Sequence, residues 1–194
     1  MKLMTETLEN ILKANKKYSE KIKNQKKLPH NAKFAIVTCM DERIDPVQFA
    51  GLRNNAHVIR NAGGRVTDDV IRSLIISHKL LGTQEWYVIQ HTDCGGMTFT
   101  NNEITELLSE SLESAEYGEN GWYNPSKEGG SVEGQYINFY PIDNIEKTVT
   151  DDVTRLKNHP LVPSNIPIYG YIYDVESGEL IKVDKACSIG TSCE

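Results

Sequence analysis

The 194-residue chain predicts an α/β fold, a mainly parallel β-sheet flanked by helices. Three observations carry that reading. Short apolar runs at 34–37, 57–59, 86–90 and 168–173 alternate with longer stretches of helical periodicity. Two of these runs lead directly into polar segments rich in reactive side chains, 38–43 and 91–94, and sites in open α/β sheets form beyond the carboxyl ends of strands. Hydrophobic residues make up 39% of the chain and charged residues 25%, as in a globular domain with a substantial core.

Residues 5–24 read as a helix capped by Thr5. Leu8, Ile11 and Leu12 form an apolar stripe on a surface otherwise rich in Lys and Asn. Residues 1–27 are therefore expected to be a helical arm, packed on its own domain or on a neighbouring surface. Leu28-Pro29-His30-Asn31 is a break. Phe34-Ala35-Ile36-Val37 reads as a strand buried on both faces and running into Cys39. Asp45-Pro46 opens a short polar helix through Phe49 and Leu52. His57-Val58-Ile59 is the second strand, and it ends in the loop Arg60-Asn61-Ala62-Gly63-Gly64. Thr67 caps the next helix, and Asp68 and Asp69 face its dipole in the first turn. Val70, Ile71, Leu74, Ile75 and Leu81 give it an apolar face before Gly82 ends it.

Trp86-Tyr87-Val88-Ile89-Gln90 is the third strand, leading into His91. Residues 101–116 and 148–158 read as helices, the second stopped by His159-Pro160-Leu161-Val162-Pro163. Between them, residues 117–141 alternate glycine with Trp122, Tyr123, Tyr136, Phe139 and Tyr140. So long a loop inside a compact domain is functional or an interface, and its aromatics are expected in the core or at an interface rather than against substrate. Ile168-Tyr169-Gly170-Tyr171-Ile172-Tyr173 is the fourth strand, with 180–183 as its hairpin partner. Residues 184–194 are expected to form a mobile tail whose Cys187 and Cys193 are free thiols. The whole reads as one domain, 1–194, with the arm and the tail at its ends.

The formal net charge of −6, with both signs mixed along the chain, argues against nucleic acid as a partner. No apolar run approaches the ~20 residues of a membrane span. The N-terminus lacks the apolar centre of a secretory signal. Four cysteines are too few for a disulfide scaffold. A cytoplasmic protein is expected, in which cysteines near a histidine point to metal binding or catalysis.

Cys39, Asp41 and Arg43 are spaced two apart, so an extended chain places a sulfur, a carboxylate and a guanidinium on one side. His91 and Cys94 are three apart, a spacing that suits two ligands on a tight turn. Alone, Cys39 is a core cysteine and His91 a structural histidine. Together, at two strand ends, they make a zinc site of two thiolates and one imidazole with one position left over. Zn²⁺ with these three ligands carries no net charge, and a water in the fourth position has its pKa drawn towards ~7. Asp41, paired with Arg43, can orient the resulting hydroxide; alternatively Asp41 closes onto the metal as a fourth ligand. Gly63 and Gly64 either turn the chain or aim their amides at ligands. His30, His57, His78 and His159 have no ligand-like spacing.

Cys39-x-Asp41-x-Arg43, the loop Arg60-Asn61-Ala62-Gly63 and His91-x-x-Cys94 closely resemble the β-class carbonic anhydrases over about 34–94, and weakly again over 153–175. The resemblance implies Zn²⁺ held by Cys39, His91 and Cys94, with Asp41 and Arg43 as the catalytic dyad. It implies attack of metal-bound hydroxide on carbon dioxide to give bicarbonate and a proton. It also implies a homodimer or homotetramer in which the N-terminal helix lies across the partner. Two features depart from the family pattern: Glu42 stands where a small residue is usual, and 117–141 has no counterpart. The compact branch of the family includes hydrolases of carbonyl sulfide and carbon disulfide with the same zinc residues, and the ligand motif does not choose among CO2, COS and CS2. A non-catalytic zinc-stabilised binding domain is the reading from another class.

Overall fold

The computed structural model describes residues 5–23, 31–52 and 55–191. It divides into two compact units, residues 1–30 and 31–194. The first contains helix α1, Glu6–Ile22. Its cap is Thr5, whose hydroxyl accepts from the Leu8 amide at 3.3 Å, and Glu6 and Glu9 lie in the first turn. None of its residues is buried, and the stripe of Leu8, Ile11 and Leu12 is exposed.

In the second unit, β1 (Phe34–Cys39), β2 (Ala56–Asn61), β3 (Glu85–His91), β6 (Ile168–Tyr173) and β7 (Leu180–Lys182) form one sheet in the order β2-β1-β3-β6-β7. The first four strands are parallel, and β7 returns antiparallel to β6. A small antiparallel pair, β4 (Glu116–Gly118) and β5 (Gly121–Tyr123), stands apart from it.

Strand alternation sorts the side chains onto two faces. Ala35, Val37, Trp86, Val88, Ile168 and Ile172 point one way, into the main core. There they meet Val70 and Leu74 of α3 (Asp68–Lys79), Val149, Val153 and Leu156 of α5 (Ile145–Lys157) and Ala186 of α6 (Asp184–Thr191). Leu74 and Leu156 are fully buried, each contributing about 1.5–3 kcal/mol relative to an exposed side chain. On the other face Ile36 and Ile89 pack with Leu52, which follows the short helix α2 (Pro46–Phe49), flanked by half-buried Phe34, Tyr87, Tyr171 and Tyr173.

Gly170 sets how closely the helices approach. A Cβ there would lie 2.6 Å from both Ala186 Cβ and Val149 Cγ1, so its absence lets α5 and α6 seat on β6.

The expected mobile tail is corrected. Residues 184–191 are helix α6, with Ala186, Cys187 and Gly190 buried, because Gly190 packs against the Ile168 carbonyl and the Cys187 thiol meets the Gly170 carbonyl. Cys187 is thus a buried thiol, and Cys193 lies outside the described residues.

The helix expected over 101–116 is α4, Asn101–Glu110. Thr100 and Glu103 form a capping box at its start, and extended Ser111 ends it by bridging to Gly129. Helix α5 begins three residues before the expected start, at Ile145, because Asn144 caps it through the Lys147 amide. Leu81 lies beyond the end of α3 and is exposed.

The aromatics of 117–141 do not form core: Tyr117, Tyr123 and Tyr136 are exposed. Trp122 stacks edge-on with Tyr117 and donates its indole N–H to the Thr98 hydroxyl at 3.0 Å.

Candidate metal centre

Strands β1 and β3 are hydrogen-bonded neighbours that end together, so Cys39 and His91 reach the same carboxyl edge of the sheet. Cys94 follows on the turn after β3. The ligand atoms of Cys39, His91 and Cys94 all lie within 4.8 Å of one another, and all three residues are buried. The two sulfurs are 3.9 Å apart.

The turn after β2 closes over this edge. Gly63 and Gly64 have φ of 73° and 62°, and a Cβ on Gly64 would lie 2.9 Å from the Cys39 amide nitrogen. Glycine permits both the left-handed backbone and the close approach. The backbone N–H groups of Gly63 and Asp41 act to lower the Cys39 thiol. The Gly96 amide serves Cys94 in the same way.

Three features fit a metal ion. The His91 ring meets the Thr92 carbonyl through Nδ1 at 2.8 Å. A carbonyl only accepts, so the proton sits on Nδ1 and Nε2 keeps its lone pair. That Nε2 is buried with no hydrogen-bond partner, a costly state that a cation relieves.

The sulfurs give the second feature. The hydrogen bond from Cys94, opposed by burial and helped by His91, lowers Cys39. The same bond, together with burial, raises Cys94. Among protein groups the pair thus holds one proton unequally, and a dication takes both as thiolates. Burial acts to lower His91, but the neighbouring Cys39 sulfur reverses the sign and raises it. The third feature is the donor set itself, two sulfurs and an imidazole nitrogen, which suits zinc.

Asp41 is turned to Arg43. Its Oδ2 accepts from Arg43 Nη2 at 2.7 Å, and its Oδ1 from Nε at 3.0 Å and from the Arg43 amide at 2.9 Å. The guanidinium holds the Asp41 carboxyl down at about 2, against the opposing effect of burial. Oδ2 is also 3.9 Å from His91 Nε2, so the carboxylate borders the ligand cluster. Arg43 is itself fixed from the other side by Asp93, through the carboxylate at 2.7 Å and the carbonyl at 2.9 Å. Arg60 braces the same segment from β2, donating to the carbonyls of Cys39 at 2.9 Å and Asp41 at 2.6 Å.

A cleft of about 410 Å³ opens onto Cys39, Cys94 and Asp41, and its walls include Met40, Glu42, Phe99, Phe139 and Tyr140. Phe139 and Tyr140 thus line the site, a correction to the expectation that the aromatics of 117–141 lie in the core or at an interface rather than against substrate.

The carbonic anhydrase family matches residues 34–180. This chain belongs to the β-class carbonic anhydrase family. Beta-carbonic anhydrase 1 of Mycobacterium tuberculosis is 36% identical over 176 residues, covering 90% of this chain and 96% of the relative. The carbon disulfide hydrolase of an Acidianus strain is 34% identical over 188 residues, covering 93% and 90%. In structure, the carbonic anhydrase of Streptococcus mutans superposes with a TM-score of 0.77 at 42% identity, covering 93% of this chain and 99% of that one.

The structure brings together Cys39, Asp41, Arg43, His91 and Cys94, all named from the sequence. The sequence alone does not point to Asp93, Phe99 or the lining role of Phe139 and Tyr140, and it marks Arg60 only as part of the 60–64 loop. Asp93 had one usable signal, its place two residues after His91; in the structure it adopts φ 53°, a conformation Asp tolerates better than most residues. Among the described residues no helix is long and apolar enough to cross a membrane. His57, His78 and His159 bond Ser77, Thr83 and Leu161 respectively, away from the cluster.

Proposed function

We propose that the chain catalyses reversible hydration of carbon dioxide to bicarbonate. The observation that carries this is the position of Asp41: it borders the three ligand atoms yet is held on Arg43, which supports an open fourth position at the metal. Zinc on Cys39, His91 and Cys94 supplies Lewis acidity that lets a water ionise near neutral pH.

The chain's own residues do the rest. Asp41, ionised and locked by two Arg43 nitrogens, accepts a hydrogen bond from the nucleophile and fixes its orientation. Arg43 keeps Asp41 charged and turned to its own guanidinium. The Thr92 carbonyl fixes the His91 tautomer, which keeps Nε2 available as a ligand. Met40, Phe99 and Phe139 give the apolar substrate a nonpolar wall beside the reacting edge. Relatives and a structure bearing the name carbonic anhydrase support this substrate.

A second reading, hydrolysis of carbonyl sulfide or carbon disulfide, is favoured by the relatives named carbon disulfide hydrolase and by the same apolar wall. Purified, zinc-loaded protein assayed side by side on CO2, COS and CS2 separates the two readings. CO2 turnover exceeding the others at equal concentration upholds the first; hydrogen sulfide release with negligible CO2 hydration replaces it with the second.

The exposed stripe of α1 and the family membership support an assembly of at least two chains. Light scattering at micromolar concentration tests this, and a stable 21.8 kDa species argues against it. A reducing, cytoplasmic setting is consistent with thiol ligands that must stay unoxidised.

A further inference from the structure

Tyr140 lines the cleft in a left-handed conformation, φ 54°, that a bulky L-residue rarely adopts. Such strain persists only where the surroundings over-determine it, and here they do. The guanidinium carbons of Arg65 and Arg155 both lie over the Tyr140 ring, at 5.6 and 5.7 Å from its centroid. Arg65 Nη1 donates to the Tyr140 and Pro141 carbonyls, each at 2.8 Å. Arg155 Nη1 donates to the Tyr140 hydroxyl at 3.1 Å.

Both arginines are anchored in turn. Arg65 Nε meets Asp152 Oδ2 at 2.8 Å, a pair buried on both sides. Asp152 also accepts from Gln90, the residue before His91, at 3.0 Å, and from the Val66 amide at 3.1 Å. Arg155 donates to the Val66 carbonyl at 2.7 Å and pairs with Asp68. The glycine turn that touches Cys39 leads directly into Arg65, whose Cγ sits 3.1 Å from where a Gly63 Cβ would be. One network, buried at Arg65, Asp152 and Gln90, therefore ties the Cys39 turn and the strand end carrying His91 to the aromatic wall.

We propose that Tyr140 is a specificity-determining residue: clamped by Arg65 and Arg155, it holds the 139–140 wall at a fixed distance from the metal ligands and so limits the size of what reaches them. This rests on the metal-site reading above but not on which substrate is turned over.

Tyr140→Gly is the informative variant, because glycine accepts the same backbone while deleting the ring and the contacts that the ring and its hydroxyl make with Arg65 and Arg155. Cobalt-loaded protein, followed by its visible absorption, is titrated with azide and with benzenesulfonamide as small and bulky metal-directed probes. Tyr140→Gly should improve benzenesulfonamide affinity relative to azide by at least about fivefold at unchanged metal content. Tyr140→Phe keeps the ring and should stay within about twofold of the parent. If Tyr140→Gly does not fold, Arg155→Met, which releases one face of the clamp, should shift the ratio the same way by at least about twofold. A ratio equal to the parent's in whichever of these two variants folds overturns the proposal. Failure of the parent to turn over CO2, COS or CS2 would remove the functional reading while leaving this comparison intact.

Discussion

Arg43 grips Asp41 through both carboxylate oxygens, Nη2 to Oδ2 at 2.7 Å and Nε to Oδ1 at 3.0 Å, two residues beyond the Cys39 sulfur. If Asp41 orients the nucleophile, Asp41→Ala keeps the metal and loses turnover. Removing a group that positions the nucleophile costs ~100-fold or more in rate. Metal analysis alongside initial rates checks both halves; full activity in the variant refutes the role.

The same pair gives an acid signature. Asp41 titrates at about 2 in the folded chain against 3.8 ordinarily, so between these values the unfolded chain binds more protons. Its contribution to stability is complete above the ordinary value and is lost as pH falls through about 2. Arg43 is partly exposed, so solvent screening keeps the effect small. Urea midpoints of metal-free protein should fall less steeply below pH 4 for Asp41→Asn than for the parent.

Gly64→Ala places a methyl group against the β1 backbone at 2.9 Å, in a conformation with φ 62°. Strain of this kind costs about 1–3 kcal/mol before any shift of the strand. The strand end that must move carries Cys39, so zinc affinity should fall together with the thermal midpoint. A competition titration with a chelator reads the first, and calorimetry the second.

Asp152→Ala strips Arg65 of its buried partner and leaves Gln90 Nε2 and the Val66 amide without their acceptor. Breaking one side of a buried ion pair costs about 3–5 kcal/mol. The urea midpoint should fall accordingly. A change below about 1 kcal/mol would mean that the pair is not the anchor its geometry implies.

Much of this was legible because the signals were local. Apolar runs ending in Cys39 and His91 marked both strands and both ligand segments, and capping residues such as Thr67 marked a helix start. What escaped depended on distance along the chain. Asp152 meets Arg65 across 87 positions, and nothing in the α5 sequence distinguishes it from the exposed Asp151 beside it. Helix α6 looked like a tail because its burial depends on Gly170 and Gly190 removing side chains where helix meets strand, a contact no periodicity reveals. The wall role of Phe139 and Tyr140 was hidden for the same reason: composition marked the insertion, but only the Arg65 and Arg155 contacts fix where it lies.

The most direct test of the account is a zinc titration of metal-free protein with CO2 hydration followed by stopped flow. Three protein ligands and Asp41 held on Arg43 predict a rate that rises linearly to one zinc per chain and then stays flat. A protein that binds one zinc per chain and hydrates no CO2 would contradict the central claim.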